Sequence, residues 1–336
     1  MVASPALGSG RGRTRARVAA AGCAMAVCAT VAAPAAAQDD TSRGKPTVVL
    51  IHGAFADGSS WNGVIQRLER RGYRVIAPAN PLRGLYTDST YIASVLDSVK
   101  GPIVLVGHSY GGAVISSAAA GHPRVKSLVY VSSLMPDKGE SGQSLAARFP
   151  SELATATRAV PYRAGDGMRG KDLYLKRDKL HRVFAADLPA STAKLLAATQ
   201  RPATTATFSE KAKVAAWRQI PSWVLVAKQD KTINPRQERF QAKRAHSRTV
   251  EINSSHVAMI AHPQEVTDLI IKAATATGKA RPTPAAKPSD SRAGAKSRPA
   301  DTAAAWVTGG AAALLLGGGA LVLGHRRRRR SRSSLR

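Results

Sequence analysis

Three residues of this chain, Ser109, Asp230 and His256, have the types, order and surroundings that turn a hydroxyl into a nucleophile. A serine alone attacks poorly at neutral pH; it needs a base to take its proton and an acid to orient that base. Ser109 sits in Gly107-His108-Ser109-Tyr110-Gly111, a G-x-S-x-G pattern. The apolar run Ile103-Val104-Leu105-Val106 precedes it, and the helix-like Ala113–Ala120 follows. Strand, tight turn and helix in that order predict a nucleophile elbow, with the serine in strained backbone and the flanking glycines letting strand and helix approach closely. The following helix would turn its positive end toward the hydroxyl.

The partners follow in the chain order serine, acid, histidine. Asp230 stands in Ala227-Lys228-Gln229-Asp230-Lys231-Thr232-Ile233-Asn234-Pro235, directly after the strand-like Ser222–Val226. His256 stands in Asn253-Ser254-Ser255-His256-Val257-Ala258-Met259, directly after the strand-like Thr249–Ile252. Open α/β sheets place functional groups at the carboxyl ends of strands, and both residues have that position. His256 is therefore read as the base, and Asp230 as the acid that fixes its tautomer and stabilises the cation. Asp137, after the strand ending at Val131, is the alternative acid. Of the eight histidines, His122, His181, His246 and His262 read as surface or capping residues. His108 reads as a structural residue whose side chain points away from Ser109, and His52 as a brace of its loop. The tetrahedral intermediate also needs N–H donors for its oxyanion. The residue after the nucleophile, Tyr110, supplies one. The early strand–helix loop His52-Gly53-Ala54-Phe55 supplies the other, with Ala54 the first choice and Phe55 the second.

The elements that must hold these groups are legible around them. Thr47–Ile51 predicts a first strand, Ala56–Arg71 a helix, and Tyr73–Ala77 a short strand. Tyr91–Leu96 predicts a helix before the elbow strand, and Ser127–Val131 a strand after the elbow. Short apolar strands alternating with helices indicate a doubly wound, mostly parallel sheet covered on both faces. From about 135 to 221 the alternation gives way to more polar, helical sequence, which predicts a helical cap inserted between two sheet strands. Phe149, Leu173, Tyr174 and Phe184 are its candidate pocket or core residues.

The chain has 336 residues, 44% of them hydrophobic, which suits one large α/β domain with appendages. Its net charge of +29 would suit nucleic acid, but much of it lies at the ends, and no aromatic-interleaved basic stripe is present. Arg11, Arg13, Arg15 and Arg17 precede an apolar run from Val18 to about Ala33, and Ala35-Ala36-Ala37 follows. These features predict a Sec signal peptide over 1–37 and a short leader over 38–44. Both cysteines, Cys23 and Cys28, fall inside it, so the mature chain would hold no thiol, disulfide or Cys-ligated metal. After the domain at 45–277, residues 278–302 read as an Ala/Pro/Lys-rich disordered stalk. Ala303–Gly324 is uncharged and long enough to span a bilayer, and the arginine-rich 325–336 would keep that end cytoplasmic. Pro299-Ala300-Asp301-Thr302-Ala303 is a degraded form of a sortase signal. The basic balance of the remainder would favour anionic cell-envelope polymers or lipid.

With these residues in hand, the domain resembles the small serine esterases of the α/β-hydrolase fold family. His52-Gly53-Ala54-Phe55-Ala56-Asp57-Gly58-Ser59-Ser60-Trp61, Gly107–Gly112 and Ser255-His256-Val257-Ala258-Met259 carry the resemblance, over about Pro46–Ala274. They match bacterial members and are similar to plant methylesterases and hydroxynitrile lyases. Those lyases carry a threonine and a lysine where this chain has Gly53 and Val257, so the resemblance implies ester hydrolysis rather than cyanohydrin cleavage. An aspartate nucleophile, the mark of dehalogenases and epoxide hydrolases, is replaced by Ser109. The expectation is a secreted, surface-anchored carboxylesterase acting on small esters through an acyl-enzyme, with neither metal nor cofactor. Acyl transfer or perhydrolysis on the same triad is the enzymatic alternative. A non-catalytic binding module on a stalk is the other.

Overall fold

A computed structural model describes residues 44–278 apart from 166 and 168. The signal peptide, leader, stalk, membrane span, arginine tail and sortase-like motif expected from the sequence therefore lie outside the described residues, save for the ends that adjoin them. Among the described residues, no helix is long and apolar enough to cross a membrane.

The core is a six-stranded, all-parallel sheet. Its strands are β1 (Thr47–Ile51), β2 (Val75–Ile76), β3 (Ile103–Ser109), β4 (Val125–Ser133), β8 (Ser222–Ala227) and β9 (Arg248–Ile252), in the order β2-β1-β3-β4-β8-β9. Every residue of β1 and β3 is buried, as expected where helices cover both faces. The chain first steps outward from β1 to β2, then reverses past β1 to β3 and beyond. The connecting helices are α1 (Asn62–Arg70), α2 (Leu85–Ser98), α3 (Tyr110–Ala118) and α9 (Pro235–Arg244), and α2 packs against α3. After the short α10 (Ala258–Ala261), the last helix, α11 (Pro263–Gly278), returns to pack on α1. The reversal puts the carboxyl ends of β1 and β3 side by side, which is where such sheets form their binding crevice.

The doubly wound parallel sheet is thus the predicted one, with local differences. The helix expected over Ala56–Arg71 is split: Gly58–Trp61 forms a 3-10 turn capped by the Asp57 side chain, and α1 follows. Between β4 and β8 lies the insertion, with helices α4 (Gly142–Arg148), α5 (Leu153–Ala156), α6 (Arg177–Phe184), α7 (Ala190–Thr199) and α8 (Ala206–Ser209). It also holds a separate antiparallel sheet of β5 (Thr157–Arg163), β6 (Arg169–Leu175) and β7 (Ala203–Thr204), which the helical expectation for this stretch did not include. Most of β5 and β6 is partly or fully exposed, so these strands lack the apolar runs that marked the core strands.

Candidate active site

Ser109 ends β3 and caps α3 with φ 53° and ψ −125°, a left-handed conformation costly for a residue with a side chain. Close packing holds it there. The Ser109 carbonyl accepts from the Leu134 N–H at 3.1 Å and from the Ser133 Oγ at 2.8 Å. A register shift between β3 and β4 at this point makes room for the turn. A Cβ on Gly111 would lie 2.4 Å from the Ile51 carbonyl oxygen, and one on Gly53 would lie 2.5 Å from the Ser109 Cβ. Only glycine fits at either position, so the elbow and the loop after β1 are pressed together.

Asp230 and His256 leave neighbouring strands through loops tied by backbone hydrogen bonds. The Lys228 N–H donates to the Ile252 carbonyl at 2.9 Å, and the Gln229 N–H to the Ser254 carbonyl at 3.0 Å. These ties bring His256 Nδ1 to 2.6 Å from Asp230 Oδ2, with both side chains fully buried. Asp230 Oδ1 accepts from the Thr232 and Ile233 N–H groups at 2.7 and 2.9 Å, which fixes the carboxylate plane. With Nδ1–H donating to Asp230, His256 keeps its lone pair on Nε2. That nitrogen is buried and has no hydrogen-bond partner among the described residues. The bond from Ser109 Oγ is therefore not formed in this structure; such bonds are often long until substrate is bound.

Two rings pack against the imidazole from different parts of the chain. His108, next to Ser109, has its ring 4.7 Å from that of His256 and its Nε2 donates to the His256 carbonyl at 3.1 Å. Burial holds His108 far below the usual histidine range, so it stays neutral. Phe184 of α6 lies 5.0 Å from the His256 ring and 6.3 Å from Phe55. His52 braces its loop: the Asn80 N–H donates to Nε2 at 2.9 Å, leaving Nδ1–H to donate to the Gly53 carbonyl. Burial lowers the His52 pKa to about 4, which keeps that tautomer neutral.

Ser109 lines a cavity of ≈ 400 Å³ under the inserted segment. Leu134, Leu173, Phe208 and Ile233 form much of its wall, and Gln237 contributes an amide. Among the described residues, no charged side chain lines it. Of the four residues expected to form the pocket or cap core, only Leu173 faces the cavity. Phe184 is core, Phe149 packs tilted with its ring 5.3 Å from that of Phe240, and Tyr174 lies under Arg158.

The other sequence expectations are placed as follows. Asp137 is paired with Arg218, whose hydrogen bonds hold its carboxyl below the usual range, so this acid is not the partner of His256. The Tyr110 N–H is the first of α3 and so has no partner within the helix. The Ala54 N–H donates to no acceptor among the described residues. Phe55, the second choice, is corrected: its φ is 64° and its N–H donates to the Arg201 carbonyl at 3.1 Å, so it is not free for an oxyanion. His181 caps the Leu188 carbonyl and His262 lies between Asp187 and Glu265.

Sequence reasoning missed Asp187. This residue of the insertion accepts from the Ser255 N–H at 2.8 Å, from Ser254 Oγ at 3.0 Å, and from Ser255 Oγ. Burial alone would raise its carboxyl; the hydrogen bonds from Ser255 and Ser254 outweigh that and hold it low. It fastens the loop that carries His256 to the cap. Nothing local marks it, since its partners are 67 and 68 residues away. Among the described residues, no group of three or more His, Cys, Asp or Glu is arranged to hold a metal ion.

Known proteins share this fold. The profile of the alpha/beta hydrolase family matches residues 48–269. A pyrethroid hydrolase of Sphingobium wenxiniae is 30% identical over 159 residues, 42% of this chain and 55% of that protein. A carbendazim hydrolyzing esterase of a Nocardioides species is 35% identical over 118 residues, 31% of this chain and 48% of that protein. The chain thus spans about half the length of these two curated relatives. The crystal structure of polyneuridine aldehyde esterase superposes with a TM-score of 0.60 at 18% identity, covering 68% of this chain and 98% of that one. At that identity the likeness is one of fold.

Proposed function

The chain belongs to the alpha/beta hydrolase family, and on that premise we propose that it is a serine esterase for small, neutral, apolar esters. The observation that carries this reading is the buried His256–Asp230 pair, at 2.6 Å, beside a strained serine that opens on an uncharged cavity. The two curated relatives are named for hydrolysis of a pyrethroid and of carbendazim, in keeping with such a cavity.

In this reading Ser109 Oγ attacks the ester carbonyl while His256 Nε2 takes its proton. The new oxyanion accepts from the Ala54 and Tyr110 N–H groups, each worth roughly 3–4 kcal/mol to the transition state. The imidazolium is stabilised by Asp230 and returns the proton to the leaving alcohol. Water, activated by the same histidine, then adds to the acyl-enzyme and releases the acid. Phe184 and His108 pack the imidazole away from solvent, which strengthens its pairing with Asp230.

The test is hydrolysis of p-nitrophenyl esters from acetate to octanoate, with Ser109→Ala and His256→Ala alongside. The expected result is turnover by the wild type that both variants lose. A folded wild type that turns over none of the esters overturns the esterase reading. Product analysis with added alcohol or peroxide separates hydrolysis from acyl transfer and perhydrolysis.

The sequence flanks support export and a membrane anchor at the cell surface as part of the same proposal. The basic n-region, apolar run and Ala35-Ala36-Ala37 motif suit a Sec signal, and the uncharged 303–324 with its arginine block suits a C-terminal span. Protease shaving of intact cells removes the domain if this is right and spares it if the chain is internal.

A further inference from the structure

A second carboxyl, which the proposed reaction does not use, is buried against Asp230. Glu238, in the first turns of α9, is 1% exposed. Its Oε2 accepts from the Ala227 N–H at 3.3 Å, and its Oε1 is buried with no hydrogen-bond partner among the described residues. Ala227 ends β8, and its carbonyl accepts from the Asp230 N–H at 3.1 Å. Glu238 is therefore fastened to the same turn that carries the acid, with its carboxyl in hydrogen-bonding contact with that of Asp230.

Two ionised carboxylates in such contact have no proton between them and can only repel. The charged groups facing Glu238 do not relieve this. They are Asp230 from the β8–α9 loop, with His256 of the next loop beyond it, and Arg239 on its own helix. The Arg239 guanidinium is already engaged by Glu251 of β9 through bonds of 2.9 and 2.7 Å. Burial pushes the Glu238 carboxyl well above the ordinary carboxylate range, and the charge of Asp230 adds to that.

We infer that Glu238 is a neutral carboxylic acid that donates its O–H to the Asp230 carboxylate, a positioning residue for the Asp230–His256 pair. The bond count fits. Asp230 already accepts from the Thr232 and Ile233 N–H groups and from His256 Nδ1. A carboxylate offers about four acceptor positions, and the Glu238 proton fills the one that remains. The donor draws negative charge on Asp230 away from His256, so the imidazole holds a proton less tightly than it would against a bare carboxylate. The Glu238 proton stays in place throughout turnover, and no step transfers it.

The kinetic readout rests on the esterase reading; a spectroscopic readout does not. In kcat/KM against pH, Glu238→Gln keeps an N–H donor toward Asp230 and is expected to retain the wild-type acid limb. Glu238→Leu removes the donor and is expected to move the midpoint of that limb upward by about one pH unit, the effect of losing one hydrogen bond to a charged group. Infrared difference spectra of the wild-type chain and Glu238→Gln, at neutral pH, are expected to show a protonated-carboxyl C=O band that the variant lacks. A downward shift of the limb in Glu238→Gln would mean that a charge was removed, and would overturn the inference. An unmoved limb in Glu238→Leu, or the absence of the infrared band, would overturn it too. If the wild type hydrolyses no ester, the esterase reading fails and the infrared band alone decides the state of Glu238.

Discussion

The two sides of the candidate site are built differently. On the sheet side, Ser109, Asp230 and His256 follow three parallel strands, two of them fully buried, and are fixed by backbone hydrogen bonds and the buried Asp230–His256 hydrogen bond. On the cap side, the small sheet β5–β6–β7 is half exposed, and the insertion presents mainly apolar surface to the cavity. The first side sets which bonds form at a reacting carbon to within tenths of an ångström. The second sets which molecules reach it. Changes on the sheet side should therefore cost rate for every ester, whereas changes on the cap side should re-rank esters at little cost to the chemistry.

The largest expected effect is on the sheet side. Ser109→Ala and His256→Ala should each lower kcat by at least about 10⁴-fold for all esters, with the melting temperature little changed. Gly53→Ala comes next. Its methyl group would lie 2.5 Å from the Ser109 Cβ, so the elbow or the oxyanion loop must shift. A displacement on the order of 1 Å costs about 10²-fold in kcat. A Gly53→Ala enzyme with normal kcat would break the comparison, because it would show that the sheet side tolerates movement.

Asp187 is a polar link between the two sides that bears directly on the His256 loop. Asp187→Ala frees the Ser254–Ser255 segment that precedes His256, and it should lower kcat about tenfold while leaving the order of ester preference unchanged. A change confined to KM would instead place Asp187 with the cap. Leu173→Trp fills part of the cavity from the cap side. It should lower kcat/KM for octanoate relative to acetate by roughly 10-fold or more, the scale of a few methylenes excluded from an apolar pocket.

The smallest effect is on stability. His52 has a folded pKa of about 4, below its unfolded value of 6.5, because burial disfavours the cation. The unfolded chain therefore binds the extra proton first. The stability this residue contributes is full above pH 6.5 and falls as pH drops through that value toward 4, by on the order of 3 kcal/mol in all. The neutral His108 adds a loss of the same sign. Urea unfolding from pH 7 to pH 4 should show this slope, and His52→Gln should flatten it.

The same contrast explains what the sequence made legible. Thr47–Ile51 is predicted and observed with identical bounds, because a strand buried on both faces is an unbroken apolar run. The loops bearing Asp230 and His256 were found from the strands before them. The cap sheet was not. Its strand Thr157–Arg163 carries Pro161 and two arginines, and Arg169–Leu175 begins Arg-Gly-Lys-Asp, so neither offers an apolar face to read. Asp187 and Glu238 were missed for a related reason: burial and long-range contact define their roles, and neither leaves a local pattern. The occupied N–H of Phe55 was likewise invisible, because its acceptor, the Arg201 carbonyl, lies in the insertion.

The central claim is that Ser109 is a nucleophile activated by His256 and Asp230. Reaction of the wild-type chain with a fluorophosphonate, followed by peptide mass spectrometry, tests it most directly. The account predicts one adduct per chain, on Ser109, formed far more slowly in His256→Ala and in Asp230→Asn. An adduct on another residue, or none on folded wild-type protein, would contradict it.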